Sequence, residues 1–213
     1  MRLVSLGRSA DPTAAARAAA ARAHDLQLVQ RAAAGDRGAL RTVFLEQRAR
    51  VHRVLHRILG SNRDIEDLIQ DAFIEILRGL PTFRGDGSLG QWCQTIAVRV
   101  AYLAISRRRP PGVDLALVEE KVADRTDVHR DTEVREAARR LYAALDRIEA
   151  KQRIAFVLAV LDGNSLAEVA ALTETSLFAV KTRIWRARRE LMRRAKKDAV
   201  LGAYLQDLQA GEP

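Results

Sequence analysis

The chain of 213 residues has little of several residue types that define whole classes of protein. Cys93 is the only cysteine, which excludes an intramolecular disulfide and a cysteine-rich zinc site. Five prolines and 12 glycines are too few for a collagen-like or low-complexity chain. No apolar run approaches the ~18 residues that span a membrane, and the Ala- and Arg-rich start lacks the apolar centre of a signal peptide. We therefore expect a cytoplasmic protein without membrane insertion.

Histidine is also scarce, with four residues. His52 and His56 have the i, i+4 spacing that holds a metal on one helix face, but no third ligand accompanies them. The spacing favours a solvated helix face. We predict no metal site and no cofactor.

Positive charge is the abundant feature. Lys and Arg number 36 against 27 Asp and Glu, which gives a net charge of +9 and a pI near 10.5. Such a balance favours a polyanionic partner, nucleic acid first among them. The alternative is a generally Arg-rich composition with no such partner.

Apolar residues recur at helical spacing along most of the chain, and no stretch alternates as a strand does. The segment from Gly112 to Glu136 differs, because it carries eight carboxylates and four basic residues with few large apolar ones. This pattern predicts an all-α fold of two small helical domains joined by a flexible linker. The predicted divisions are an N-terminal extension (1–24), a first domain (25–110), an acidic linker (111–133), a second domain (134–197) and a C-terminal tail (198–213).

The second domain contains the outline of a helix-turn-helix. Ser165 and Glu168 form a capping box that opens a short helix, and a longer helix follows from Ser176 to about Lys197. Residues 181–197 hold nine Lys or Arg and one carboxylate. On a helical wheel the predicted core side comprises Leu177, Val180, Ile184, Ala187 and Leu191. The opposite side comprises Thr182, Arg186, Arg189 and Arg193, flanked by Phe178, Lys181 and Trp185.

Charge of a single sign on that side favours DNA binding over a solvated amphipathic helix, whose charges usually alternate in sign. Arginine can bind guanine with two hydrogen bonds in the major groove, and Trp185 offers an apolar surface.

The first domain has the reverse charge in its middle. Residues 64–77 carry five carboxylates and no Lys or Arg. Such a helix suits a basic protein surface, but acidic residues in a first turn also complement the helix dipole in water. The spacing leaves both interpretations open.

A loop at residues 83–87 follows this helix and combines an aromatic residue, an arginine and two glycines. Aromatic surfaces beside arginines suit the unstacked bases of single-stranded nucleic acid. Phe83 is equally well interpreted as a core residue that follows Pro81.

These motifs together resemble a known family. The first domain resembles region 2 of bacterial sigma factors of the extracytoplasmic-function (ECF) group, in DIEDLIQDAF (64–73), FRGDGSLGQW (83–92) and Ile96-Ala-Val. The second domain resembles their region 4, in GNSLAEVA (163–170) and VKTRIWRAR (180–188). The run LVQRAAAGDR (28–37) resembles the opening helix of the family. The resemblance covers about residues 25–195, in the family's order.

The resemblance implies partners for specific residues. It implies binding to the β′ clamp helices of RNA polymerase core by Glu66, Asp67, Gln70 and Asp71. It implies capture of a flipped base of the melted −10 promoter element by Phe83, Arg84, Gly85, Asp86, Gly87, Ser88, Ile96 and Arg99. It implies reading of the −35 element by Lys181, Thr182, Trp185 and Arg186, to which the helical wheel adds Phe178, Arg189 and Arg193.

The resemblance therefore implies a non-catalytic initiation factor whose partners are RNA polymerase core (the β′ and β subunits), promoter DNA and an anti-sigma factor. A stand-alone helix-turn-helix regulator is the alternative, which needs neither an acidic docking helix nor a strand-melting loop. A recombinase with a helix-turn-helix tail lacks support, because no Ser/Arg or Tyr/Arg/His cluster is evident in the sequence.

Overall fold

The computed structural model describes residues 12–61, 64–107 and 128–210. Within these ranges the chain forms helices and no strand, which confirms the predicted all-α class. The helices of the first domain are α1 (Pro12–Ala33), α2 (Arg37–Leu59), α3 (Ile65–Gly79) and α4 (Leu89–Arg107). Those of the second are α5 (Val128–Leu145), α6 (Ala150–Phe156), α7 (Leu166–Leu172), α8 (Leu177–Ala195) and α9 (Ala199–Ala210).

Local sequence sets the ends of the helices in the first domain. Asp36 precedes α2 and accepts a hydrogen bond from the Ala39 amide at 3.0 Å, and Gly60 ends the helix in the left-handed conformation. α3 gives way to a 3-10 turn (Leu80–Thr82) at Pro81, which cannot continue a helix. The start of α4 is tied to α1, because the Leu89 amide donates to the Asp25 carboxylate at 2.8 Å.

The second domain builds the predicted helix-turn-helix. Ser165 and Glu168 form the predicted capping box at the start of α7, and Ser176 caps α8. Before them, α6 continues as a π-helical turn (Val157–Leu161). Four of the five residues on the predicted core side of α8 are buried. The exception is Leu177, which is 50% exposed because it is the first residue of the helix.

The ends of the helices do not coincide with the predicted domain boundaries. α5 begins at Val128, within the segment predicted to be linker, and residues 108–127 lie outside the described residues. The predicted C-terminal tail contains α9, which buries Leu201 and Leu205 against α5 and α8. α1 begins at Pro12 and crosses the predicted boundary at residue 24 without interruption.

The two domains contact each other. α4 packs against α6 and α7, and α2 packs against the π-helical turn that follows α6. The buried apolar residues of both domains consequently form one continuous core.

Cys93 lies in that core with no exposed surface, and burial raises the pKa of its thiol to about 12. Because the thiolate is the nucleophile, we expect no alkylation of the native protein by iodoacetamide at neutral pH. Full alkylation is expected in concentrated urea. Mass spectrometry of the two samples checks this, and rapid labelling of the native protein would contradict the burial.

Candidate nucleic-acid and polymerase interfaces

One face of α8 is exposed and carries the residues predicted to read DNA. The largest apolar ones are Phe178, which is 79% exposed in the first turn, and Trp185, which is 58% exposed about two turns farther along the same face. Lys181, Arg186, Arg189 and Arg193 are exposed on the same side. Thr182 is half-buried, and its hydroxyl donates to the Phe178 carbonyl at 2.9 Å, so only its lone pairs are available to a base.

The arginines of α8 differ in what they contact. Arg193 and Arg194 both pair with Glu190, at 2.6 and 2.7 Å, and the Arg193 hydrogen bond lowers the pKa of that carboxyl to about 2. The guanidinium of Arg189 lies 5.5 Å from the centre of the Trp185 ring. Arg186 has no ion-pair or hydrogen-bond partner in the part of the chain that the structure describes. Arg186 is therefore the arginine best prepared to bind a new acceptor.

An open groove of about 910 Å³ runs beside this face, between α8 and the turn before α6. Five of its lining residues are basic, namely Arg147, Arg186, Arg189, Arg193 and Lys196. Such a concentration of positive charge suits the phosphate backbone of a nucleic acid.

The loop predicted to capture a base is only partly available. Arg84, Asp86 and Ser88 are exposed, and Gly85 and Gly87 are half-buried. Phe83 is 9% exposed and packs edge-on against Trp92, with 5.5 Å between ring centres. Of the two interpretations of Phe83, the structure favours the core residue, and it does not support a base-stacking role. Ile96 is also buried, at 8% exposure.

Arg99, predicted for the same base site, is exposed on α4 but already has a partner. Its guanidinium binds the carboxylate of Glu174 through Nε at 2.9 Å and Nη2 at 2.5 Å. Glu174 lies in the turn between α7 and α8, at a positive φ of 48°. The structure therefore brings a residue predicted to bind the −10 element against the turn of the helix-turn-helix.

The acidic helix α3 presents its predicted docking residues together. Glu66, Asp67, Gln70 and Asp71 are all exposed, and their spacing puts them on one side of the helix. Glu66 pairs with Arg48 of α2 at 3.3 Å. Ile74 and Leu77 continue this side and are 45% and 43% exposed, which adds an apolar end to the acidic surface.

Sequence reasoning did not single out the polar residues that join the domains. Arg153 is 2% exposed and donates to the carbonyls of Ile58 and Leu59, each at 2.9 Å. Tyr142 donates to the Arg57 carbonyl at 2.7 Å. The one available signal was that Arg153 directly precedes a run of buried apolar residues from Ile154.

The described residues contain no group of three or more His, Cys, Asp or Glu side chains placed to hold a metal ion. No helix in these ranges is both long and apolar enough to cross a membrane.

Comparisons with known proteins agree with this architecture. Residues 44–110 match the family described as Sigma-70 region 2, and residues 138–191 match Sigma-70, region 4. The chain is 30% identical over 176 residues to the ECF RNA polymerase sigma-E factor of Escherichia coli K12, covering 77% of this chain and 90% of the relative. It is 27% identical over 173 residues to the RNA polymerase sigma-H factor of Pseudomonas aeruginosa, with the same coverage.

A solved structure shares the fold. CnrH, solved in complex with the cytosolic domain of CnrY, superposes with a TM-score of 0.56 at 22% identity, covering 82% of this chain and 98% of that one. The two matched regions occur in the family's order, one overlapping the first helical domain and the other lying within the second. The chain belongs to the ECF group of RNA polymerase sigma factors, which bind the polymerase core and direct it to promoters.

Proposed function

We propose that this sigma factor divides its work between two oppositely charged surfaces, with α3 binding the polymerase core and α8 reading the −35 element. The observation that carries the proposal is the separation of exposed charge, acidic on α3 and basic on α8. We further propose that the protein does no covalent chemistry itself and acts in the cytoplasm, where its polymerase partner works.

The proposed core-binding surface consists of Glu66, Asp67, Gln70 and Asp71. A carboxylate surface on a protein of net charge +9 is poorly suited to DNA but complements a basic protein surface. The resemblance implies that the β′ clamp helices of the polymerase provide this basic surface. Asp67 and Asp71 are the better test positions, because Glu66 is engaged with Arg48.

Reversal of both charges, in Asp67→Lys/Asp71→Lys, is expected to weaken binding to core polymerase at least about 100-fold. Reversal replaces attraction by like-charge repulsion, which costs several kcal/mol at an interface. Affinity is measured with fluorescently labelled sigma factor titrated with core enzyme, and circular dichroism verifies that the helices persist.

A matched control makes the same change of net charge elsewhere. Glu133→Lys/Asp207→Lys reverses two exposed carboxylates on α5 and α9 and is expected to bind core as the wild type does. Equal affinity of the two double variants would show that α3 is not the docking surface.

The proposed −35 reader is the exposed face of α8, with Arg186 as a base contact. Arg186 is free to donate two hydrogen bonds, and Trp185 and Phe178 supply apolar surface for thymine methyl groups. The DNA phosphates would lie along the basic groove beside α8. Such contacts position the helix on the DNA without reading its sequence. Arg193 belongs to this second group, because it lies farther along the helix and shares Glu190 with Arg194.

Substitution separates the two roles. Arg186→Ala is expected to cost about 1–3 kcal/mol and to relax preference at one −35 position. Arg193→Ala is expected to lower the affinity for all −35 sequences by the same factor. It is also expected to reduce the slope of log affinity against log salt concentration by about one. Binding to a library of randomised −35 sites at several salt concentrations measures both effects, and an identical uniform loss in the two variants would refute the division.

The proposed −10 surface comprises the loop residues Arg84 to Ser88, of which the two glycines are half-buried and the others exposed, together with the exposed Arg99 of α4. Phe83 and Ile96 would support this surface from within the core, as their burial suggests. Glycines at 85 and 87 would allow the backbone to approach an unstacked base closely, and Gly85 already has a φ of 76°.

We also propose an anti-sigma factor as a partner. CnrH, whose fold this chain shares, was solved with the cytosolic domain of CnrY. The apolar end of the α3 surface, Ile74 and Leu77, is exposed in the free chain and suits such a protein partner.

A further inference from the structure

The first helix, α1, supports the loop of the proposed −10 surface. The Asp25 carboxylate accepts a hydrogen bond from the Leu89 amide at 2.8 Å, which ties α1 to the residue that follows the loop. Leu26 lies against the loop itself, since a Cβ added at Gly85 would come within 3.6 Å of its Cδ1 atom. α1 also packs against the 3-10 turn that precedes the loop. The position of the loop therefore depends on α1.

α1 does not stop at the loop but continues toward its N-terminus as far as Pro12. We call residues 12–24 the α1 arm. At 1.5 Å per residue, the arm adds about 20 Å of helix beyond the contact with the loop. Every arm residue whose side chain the structure describes is exposed, and the first buried residue after the arm is Leu28. The arm also precedes the residues matched to Sigma-70 region 2, which begin at position 44.

The composition of the α1 arm explains why it is helical without being buried. Eight of its residues are alanine, which has the highest helix propensity. Pro12 suits the first position of a helix. The packed half of α1 supplies the helical nucleus, so each arm residue only extends a helix that already exists. The arm therefore holds its side chains at fixed positions along the helix.

The charge of the α1 arm has a single sign. Arg17 and Arg22 are exposed, and the arm contains no Asp or Glu. Arg22 precedes Leu26 by four residues, so it lies on the side of α1 that meets the loop, one turn closer to the N-terminus. Arg84 is exposed on the loop. Basic side chains therefore begin at the loop and continue outward along the arm.

We infer that the α1 arm extends the −10 surface by binding the phosphates of promoter DNA beside the −10 element. This inference rests on the proposed −10 surface. A DNA strand held at the loop continues past it, and 20 Å corresponds to about six nucleotides at 3.4 Å each. Arginine binds phosphate through two parallel hydrogen bonds, and such contacts position DNA without reading its sequence.

Two features of the α1 arm favour DNA over a protein as its occupant. The arm presents arginines among alanines and has no large apolar side chain in its sequence, whereas protein interfaces usually have an apolar centre. It is also continuous with a surface proposed to bind DNA. An acidic surface of polymerase core is the competing occupant.

Neutralising the arm tests the contact. Arg17→Gln/Arg22→Gln removes both charges and preserves the helix, because glutamine and arginine have similar helix propensities. Each lost phosphate contact reduces the slope of log affinity against log salt concentration by about 0.7–0.9. The slope of the double variant is therefore expected to be shallower by about 1.5. Its loss of affinity relative to the wild type is then expected to shrink about eightfold between about 50 and 200 mM salt.

The measurement uses holoenzyme, in which core polymerase carries the sigma factor. The holoenzyme is titrated onto DNA that is duplex through the −35 element and single-stranded from the −10 element onward. The sequence of this probe is the one that wild-type holoenzyme recovers from a randomised promoter library.

A matched control removes the same charge at the other end of α1. Arg37→Gln/Arg41→Gln changes two exposed arginines at the start of α2, which follows the C-terminus of α1. The control is expected to keep the wild-type slope. Because the two double variants have equal net charge, a difference between them reports the position of the charge. Equal slopes would overturn the inference and leave the arm as a solvated helix.

Titration of each sigma variant with core polymerase, without DNA, tests the competing occupant. The arm variant is expected to bind core as the wild type does. A loss of core affinity equal to the whole loss on DNA would assign the arm to the polymerase and overturn the inference.

A loop variant separates this inference from the proposal on which it rests. Arg84→Gln is expected to weaken binding of the holoenzyme to the same probe. Unchanged affinity in Arg84→Gln would refute the proposed −10 surface. The comparison of the arm variant with its control would still decide whether the arm contacts DNA.

Discussion

The hydrogen bonds of Arg153 to the end of α2 are the interaction on which the arrangement of this protein depends. A helix terminus buried against another domain needs donors for its last carbonyls, and Arg153 and Tyr142 supply them from 94 and 85 residues away in sequence. Their geometry fixes which face of α2 meets the second domain. The contact of α4 with α6 and α7, and the position of the helix-turn-helix beside Arg99, follow from that choice.

Surface charge is divided in a way that fits two different partners. The carboxylates of α3 are exposed on one side of the first domain, and the basic residues of α8 line a groove of the second. A uniformly basic protein would bind any polyanion, whereas this distribution lets one domain favour a basic protein and the other favour DNA. α9 completes the second domain beyond the residues matched to Sigma-70, region 4, by covering α5 and α8 with Leu201 and Leu205.

Local pattern predicted most of the fold and much of the candidate site. The helical class, the capping box at Ser165 and the exposed acidic and basic faces all follow from spacing within a single helix. Phe83 was ambiguous because a loop aromatic is either exposed or buried, and its contact with Trp92 decides the matter in three dimensions. The contacts of Arg153 could not be predicted from the sequence, because its acceptors include backbone carbonyls. Every residue has such a carbonyl, so no residue type indicates which ones accept.

The burial of Cys93 makes this sigma factor suitable for site-specific labelling at introduced cysteines. The native thiol lies in the core with no exposed surface. Cysteines introduced at exposed positions of the two domains would therefore accept spin labels or fluorophores without substitution of the native residue. Interdomain distances, and their change when polymerase or DNA is added, become accessible to electron paramagnetic resonance and single-molecule energy transfer in a chain whose core is untouched.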